Sequence, residues 1–319
     1  MALWRRRLSE EPNRESAITP ASSVNYLRPE VAATLGNLEL VAKLVVEGFI
    51  TGLHKSPYHG FSVEFAEHRP YLPGDAIRNI DWKLFARTDR YYIKQYEEET
   101  NLRAYLVIDA SKSMNFTSDK RRITKYRYAT MLAAALTQLL VRQQDAVGLA
   151  LFDESLRTFM PARLKTSYQR QMLMTLQTEV PSNQTHTQAA LRRLAERITR
   201  RGLVVVMSDF LDEPEAILNS LKLFRHAGHE VIAFHILDPI ERSFELDASD
   251  ATILDVETGD TLRTQPYQLQ ASYRRALQEY IETLRSSLLA EQIDYLLLDT
   301  TTPFDRALAE YLHKRQQMG

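Results

Sequence analysis

Near-continuous apolar runs alternate with amphipathic stretches over the last two thirds of the chain. The runs are AYLVIDA (104–110), AVGLALF (146–152), GLVVVMSD (202–209), EVIAFHIL (230–237) and IDYLLLD (293–299). Short blocks rich in Val, Ile and Leu with no polar alternation suit strands buried on both faces. Between them, apolar positions recur at helical spacing near 122–142, 168–178, 187–200, 214–227 and 266–291, with a last helix at 303–317. Strands alternating with helices predict an α/β domain with a doubly wound, mainly parallel sheet. Residues 242–264 interrupt the pattern with an alternating pair around Thr-Gly-Asp, which predicts an inserted β-hairpin.

Upstream the pattern differs. Residues 1–28 are polar and turn-rich, and they predict a loose tail. Leu38, Val41, Leu44, Val45, Phe49 and Leu53 then mark one face of an amphipathic helix that docks on something larger. Residues 58–100 predict a small β-rich module: an alternating strand at GFSVEFAEH, a turn at Pro73-Gly74-Asp75, a short helix in AIRNIDWKLFART, and a second strand at RYYIKQYEEE. The expected organisation is therefore a tail (1–28), a helix with a β-rich module (29–100), a sheet domain (101–302) and a C-terminal helix (303–319).

Composition narrows the classes. The chain has 319 residues, 44% hydrophobic and 25% charged, with a formal net charge of −1. So balanced a charge gives no global field directed at nucleic acid or at anionic lipid. The absence of cysteine excludes disulfides, thiolate metal sites and cysteine nucleophiles. Three arginines near the N-terminus precede no apolar segment of the secretory kind, and no stretch reaches the ~18 apolar residues of a membrane span. A soluble, cytoplasmic protein is expected. His54, His59 and His68 lie close in sequence, but their spacing fits no zinc pattern.

In a doubly wound sheet, ligands bind beyond the carboxyl ends of the strands. The first apolar run ends in Asp109, followed by Ser111 and Ser113; the run at 202–209 ends in Ser208 and Asp209; the loop SNQTHTQ brings Thr185 and Thr187 to a helix start. A carboxylate and two hydroxyls at two-residue intervals can wrap one side of a hard cation, and a threonine with a second aspartate would extend the oxygen shell, as Mg²⁺ or Mn²⁺ prefers. The competing reading is local: Asp and Ser after a strand also cap helices and close turns. Lys112, His186 and Thr187 would form the rim that meets a partner. Arg121, Arg122, Lys125 and Arg127 read as a basic patch near this edge.

The combination resembles the von Willebrand factor A fold with its metal-ion-dependent adhesion site. The resemblance implies a metal held by Asp109, Ser111, Ser113, Thr185 and Asp209; the usual paired glycines before the threonine are missing, so Thr187 remains a rival to Thr185. Residues 68–99 resemble the signature of the bacterial domain of unknown function family 58, carried by Arg69, Pro73, Gly74, Asp75, Arg78, Asp81, Trp82, Ala86 and Arg87. From the residues themselves this block reads as a structural latch, with ion pairs among the charged members and Trp82 as an apolar anchor. The family resemblance implies an accessory or adaptor of a MoxR-type AAA+ ATPase, not a catalyst. Two alternatives stand beside this metal-dependent interaction module: a metal-dependent phosphohydrolase or nuclease, which would want a further acid–base pair, and a structural component with an empty site. The sequence does not specify an oligomeric state.

Overall fold

The computed structural model describes residues 27–55, 68–70, 82–94, 102–182, 187–246, 250–254 and 261–318. Its helices are α1 (Pro29–Ala33), α2 (Leu38–Lys55), α3 (Trp82–Thr88), α4 (Lys125–Arg142), α5 (Thr166–Thr178), α6 (Thr187–Arg197), α7 (Pro214–His226), α8 (Pro239–Ser243), α9 (Pro266–Ala290) and α10 (Phe304–Met318). Its strands are β1 (His68–Pro70), β2 (Tyr92–Lys94), β3 (Arg103–Asp109), β4 (Ala146–Phe152), β5 (Leu156–Arg163), β6 (Leu203–Ser208), β7 (Glu230–Leu237), β8 (Ala251–Leu254), β9 (Thr261–Thr264) and β10 (Asp294–Asp299).

Six strands form the main sheet in the order β10-β7-β6-β3-β4-β5. All neighbours pair in parallel except β4 and β5. The expected α/β class with a mainly parallel sheet is thus observed. Alternate side chains along each strand feed opposite layers, as a period of two requires. Leu106, Ile108, Leu149, Val205, Met207 and Phe234 meet α2, α4, α5 and α10 on one face, while Val107, Ala150, Val204, Val206 and Ala233 meet α6, α7 and α9 on the other.

Helix α4 is buried almost all round because it lies between the sheet and a second layer of helix. Val41, Ala42, Val45, Val46 and Phe49 of α2 are buried in the same cluster. Of the apolar stripe expected in α2, Leu44 is only half-buried. Phe304, Ala307, Leu308 and Tyr311 of α10 are also fully buried there, so this C-terminal helix belongs to the core of the sheet domain.

Strand β5 is absent from the sequence pattern, which predicts no element between 152 and 168. It carries Pro161 and mixes polar with apolar residues, so it lacks the continuous apolar run of its neighbours. A proline is tolerated there because β5 is the sheet's edge, where one row of backbone groups needs no ladder partner. Its register against β4 shifts between Val147 and Leu149. Gly148 lies at that shift, and a Cβ there would stand 2.8 Å from the Met160 carbonyl oxygen and 2.9 Å from the Ala162 nitrogen.

Within 242–264 the chain forms the end of α8 and then the antiparallel pair β8–β9. Upstream, β1 pairs antiparallel with β2, setting Arg69 opposite Ile93. Trp82 opens α3 and is 55% exposed, edge-on to Phe85 at 6.1 Å between ring centroids. Its apolar contact on α3 is with Phe85, and more than half of its surface stays open. Ala86 and Arg87 are exposed on the same helix. Pro73, Gly74, Asp75, Arg78 and Asp81 lie outside the described residues, as do the tail before Leu27, most of the expected strand at 60–68 and His59.

Candidate functional site

The strand order leaves β3 first toward β4 and β5, then reverses toward β6, β7 and β10. Adjacent strands whose connections run in opposite directions open a crevice at their carboxyl ends. Here those strands are β3 and β6, and they end in Asp109 and Ser208-Asp209.

Asp109 is fully buried. Its Oδ1 accepts the Ser111 backbone N–H at 2.9 Å and its Oδ2 accepts the Ser208 hydroxyl at 2.6 Å. The Ser208 oxygen in turn accepts the Phe210 N–H at 3.0 Å. The Ser111 and Ser113 hydroxyl oxygens stand 3.0 Å apart, and Ser113 helps to hold the Asp209 carboxyl down. Neither serine caps a helix. The single 3₁₀ turn at Ser113–Asn115 has no side-chain cap, and α4 is capped by Thr124, whose hydroxyl accepts the Arg127 N–H at 3.1 Å. Asp109 does close a local turn, so the capping alternative holds for the aspartate and fails for the serines.

Burial and the neighbouring Asp209 carboxylate push the Asp109 carboxyl up to about 7, against the opposing pull of its hydrogen bonds from Ser208 and Ser111. Asp209 is equally buried, yet it stays below the usual carboxylate range because Lys125 offsets that burial. Lys125 is the main correction to the expected picture. It is not part of an exposed basic patch but is fully buried, its Nζ 2.8 Å from Asp209 Oδ2 and 2.6 Å from Glu241 Oε1. Desolvation would lower its pKa, but the two carboxylates outweigh that and raise it. The other end of Glu241 accepts the Asp238 N–H at 2.7 Å and Asp238 Oδ1 accepts the Ile240 N–H at 2.9 Å, a reciprocal cap at the start of α8. Asp238 also accepts the Ser118 N–H at 3.1 Å. One polar network thus joins the ends of β3, β6 and β7.

Lys125, Glu241 and Asp238 were not among the expected site residues. A signal existed for the acids: Asp238 directly follows the apolar run at 230–237, so the rule of strand ends reaches it. For Lys125 there was none, because it is one cation in the basic run RRITKYR.

Thr185 and His186 lie outside the described residues, and Thr187 is described only as the first residue of α6. The flanks are informative: the Ser182 N–H donates to the Ala110 carbonyl at 2.9 Å, directly beside Asp109. Lys112 is exposed at the rim. Among the described residues no group of three or more His, Asp or Glu is placed to hold a metal ion. What the site offers is two carboxylates among hydroxyls, all hard oxygen donors that suit Mg²⁺ or Mn²⁺ and not a soft metal. No helix among the described residues is long and apolar enough to cross a membrane.

Among solved structures, the chain is similar to BatB from Bacteroides thetaiotaomicron (16% identity, TM-score 0.43, 68% of this chain and 99% of that one). It is also similar to an aerotolerance-related membrane protein from Bacteroides fragilis (17%, TM-score 0.44, 67% and 99%). The VWA domain of SpRpn10 matches at 11% identity and TM-score 0.40, over 65% and 93%. Among curated sequences, uncharacterized proteins of Mycobacterium tuberculosis and Mycobacterium bovis are each 34% identical over 238 residues, which is 72% of this chain and 72% of theirs. Residues 67–283 match the model of the protein family of unknown function DUF58. The chain belongs to the DUF58 family.

Proposed function

We propose that the protein is a non-enzymatic interaction module that captures a partner's carboxylate at a divalent-cation site, and that this partner is a MoxR-type AAA+ ATPase. The observation that carries the reading is the convergence of Asp109, Ser111, Ser113 and Asp209 at the point where the strand order reverses, with the two serine hydroxyls 3.0 Å apart and capping no helix. Asp109, Ser111, Ser113, Asp209 and either Thr185 or Thr187 would hold Mg²⁺ or Mn²⁺. The bound cation would supply an electrophilic point for one more oxygen ligand. Lys125 shares one positive charge between Asp209 and Glu241, so it offsets part of the negative charge that an incoming carboxylate would meet. Ser208 orients Asp109, and Lys112 at the rim favours an acidic partner. The partner's identity rests on the family signature at 68–99 alone.

The test pairs a pull-down from a bacterial lysate containing the ATPase with thermal unfolding of the purified chain. Millimolar Mg²⁺ should raise the unfolding temperature and support capture, while EDTA and Asp109→Ala should abolish both effects. Capture unchanged by EDTA and by Asp109→Ala would sink the metal reading, and Mg²⁺-dependent capture of another protein would sink the choice of partner.

A further inference from the structure

A groove of 1050 Å³ runs beside the candidate site, between α8, the β8–β9 hairpin and α9. Its walls include Phe244, Ile253, Leu254, Leu262, Leu269 and Tyr273. Phe244 and Tyr273 stack at 4.5 Å between ring centroids, and the Tyr273 hydroxyl donates to the Glu241 carbonyl at 2.8 Å, which fixes the trough against α8. Leu254 and Leu262 are each 56% exposed, and Leu211 at the mouth is 55% exposed. Apolar side chains this open, gathered on one concavity, mark a docking surface.

The groove is also acidic. Among the described residues its charged lining is Asp209, Asp212 and Glu241, with no Lys, Arg or His. Lys125 supplies one charge to Asp209 and Glu241 together, and Asp212 is exposed, so negative charge remains in excess at the mouth. An occupant should combine bulky apolar side chains with adjacent cations. The chain contains such a segment: Leu3-Trp4-Arg5-Arg6-Arg7-Leu8.

The point of attachment is favourable. The described chain begins at Leu27, whose carbonyl accepts the Phe304 N–H at 2.9 Å. Just before Phe304, Asp299 binds Arg242 of α8 at 2.8 Å, and α8 forms one wall of the groove. The 18 residues between Leu8 and Leu27 can extend to roughly 60 Å, beyond the ~50 Å breadth of a domain of this size. We propose that this groove is a docking site for the chain's own residues 3–8, Leu3 and Trp4 entering the trough and Arg5–Arg7 meeting its acidic mouth. The docking does not depend on the metal.

The experiment uses the full chain with Trp4→p-benzoylphenylalanine, irradiated and mapped by mass spectrometry. The expected product is an intramolecular cross-link to residues 251–254 or 269–276. Its yield should fall about tenfold, about 1.4 kcal/mol, on reversing the three arginines to glutamate. It should also fall in about 1 M NaCl, where the screening length is near 3 Å. Leu254→Asp should abolish it, with circular dichroism confirming the fold. Cross-links elsewhere, insensitivity to the arginine reversal, or an intermolecular product that grows with protein concentration would overturn docking in cis.

Discussion

Lys125 concentrates the chemistry of the site in one side chain. A buried ammonium between two carboxylates is stable only while all three charges are present, because removing one strands the others away from water. Lys125→Met keeps the side-chain volume and deletes the charge. It should destabilise the protein by about 3–5 kcal/mol in metal-free buffer, measured by urea unfolding. If a divalent cation binds beside Asp209, Mg²⁺ should stabilise this variant by more degrees than the parent, since it then supplies the missing charge. An equal or smaller Mg²⁺ effect would show that no cation competes for Asp209. Ser208→Ala removes the hydroxyl that donates to Asp109 and accepts from Phe210, whose backbone sits in the left-handed region at φ 43°. It should cost about 1–3 kcal/mol, the usual loss when a buried polar group is left without its hydrogen bond, measured by urea unfolding. At this scale the sequence exposes the residues that stand directly after a strand. Asp109, Ser111, Ser113 and Asp209 are legible because unbroken apolar runs fix where β3 and β6 end. Lys125 is illegible because a cation at a helix start ordinarily faces water, and only the three-dimensional convergence of Asp209 and Glu241 makes burial favourable.

The elements follow the same logic. Strands covered on both faces announce themselves by continuous Val, Ile and Leu, and β3, β4, β6 and β7 were readable for that reason. Strand β10 was readable too, although most of its residues are only half-buried. Strand β5 is half-covered and carries Pro161, so its pattern Leu-Arg-Thr-Phe-Met-Pro-Ala-Arg has no clean period. What specifies it lies on its partner: Gly148 in β4 lets the two backbones approach at the register shift. Gly148→Ala would place its methyl under 3 Å from two backbone atoms and from the Tyr105 ring. Backbone atoms cannot step aside as a flexible side chain can, so the expected loss is about 1–3 kcal/mol. Amide exchange should accelerate along β5 while β6 and β7 keep their protection. Uniform acceleration through the sheet would show that β5 is not a separately specified edge.

At the scale of the whole molecule, the division into modules read from the pattern does not mark where the core ends. Helices α2 and α10 come from segments outside the expected bounds of the sheet domain, 101–302; α2 docks on a larger body as expected, and both helices pack in the sheet domain's main apolar cluster. Helix periodicity shows that a face is apolar but not what it will meet, so a helix remote in sequence looks like an appendage until the tertiary contacts are known. Helix α10 is also tied by charge: Lys314 contacts Glu230 at 2.7 Å and Asp294 at 3.0 Å, and Arg315 binds Asp145 in the turn between α4 and β4. The two ties differ in sign. Glu230 is held below the usual range because Lys314 and Arg225 outweigh its burial. Burial pushes Asp145 up from 3.8 to about 6 despite Arg315, so ionising it costs the folded state more than its guanidinium partner returns. A carboxyl whose folded pKa exceeds its unfolded value stabilises most below pH 4 and loses that contribution as pH rises through about 6. Tyr311 packs at the same junction and stays neutral across this range, its pKa raised by burial. Asp145→Asn does not titrate, so the stability of the parent relative to this variant should fall between pH 4 and 7. Each tenfold change in proton affinity is worth about 1.4 kcal/mol, and with screening at this partly open junction the whole fall should come to about 1–2 kcal/mol. Urea unfolding of both proteins across that interval measures the difference. A gap that widens with pH would mean the ion pair dominates, whereas a narrowing gap assigns the seating of α10 to Phe304, Leu308 and Tyr311 in the core.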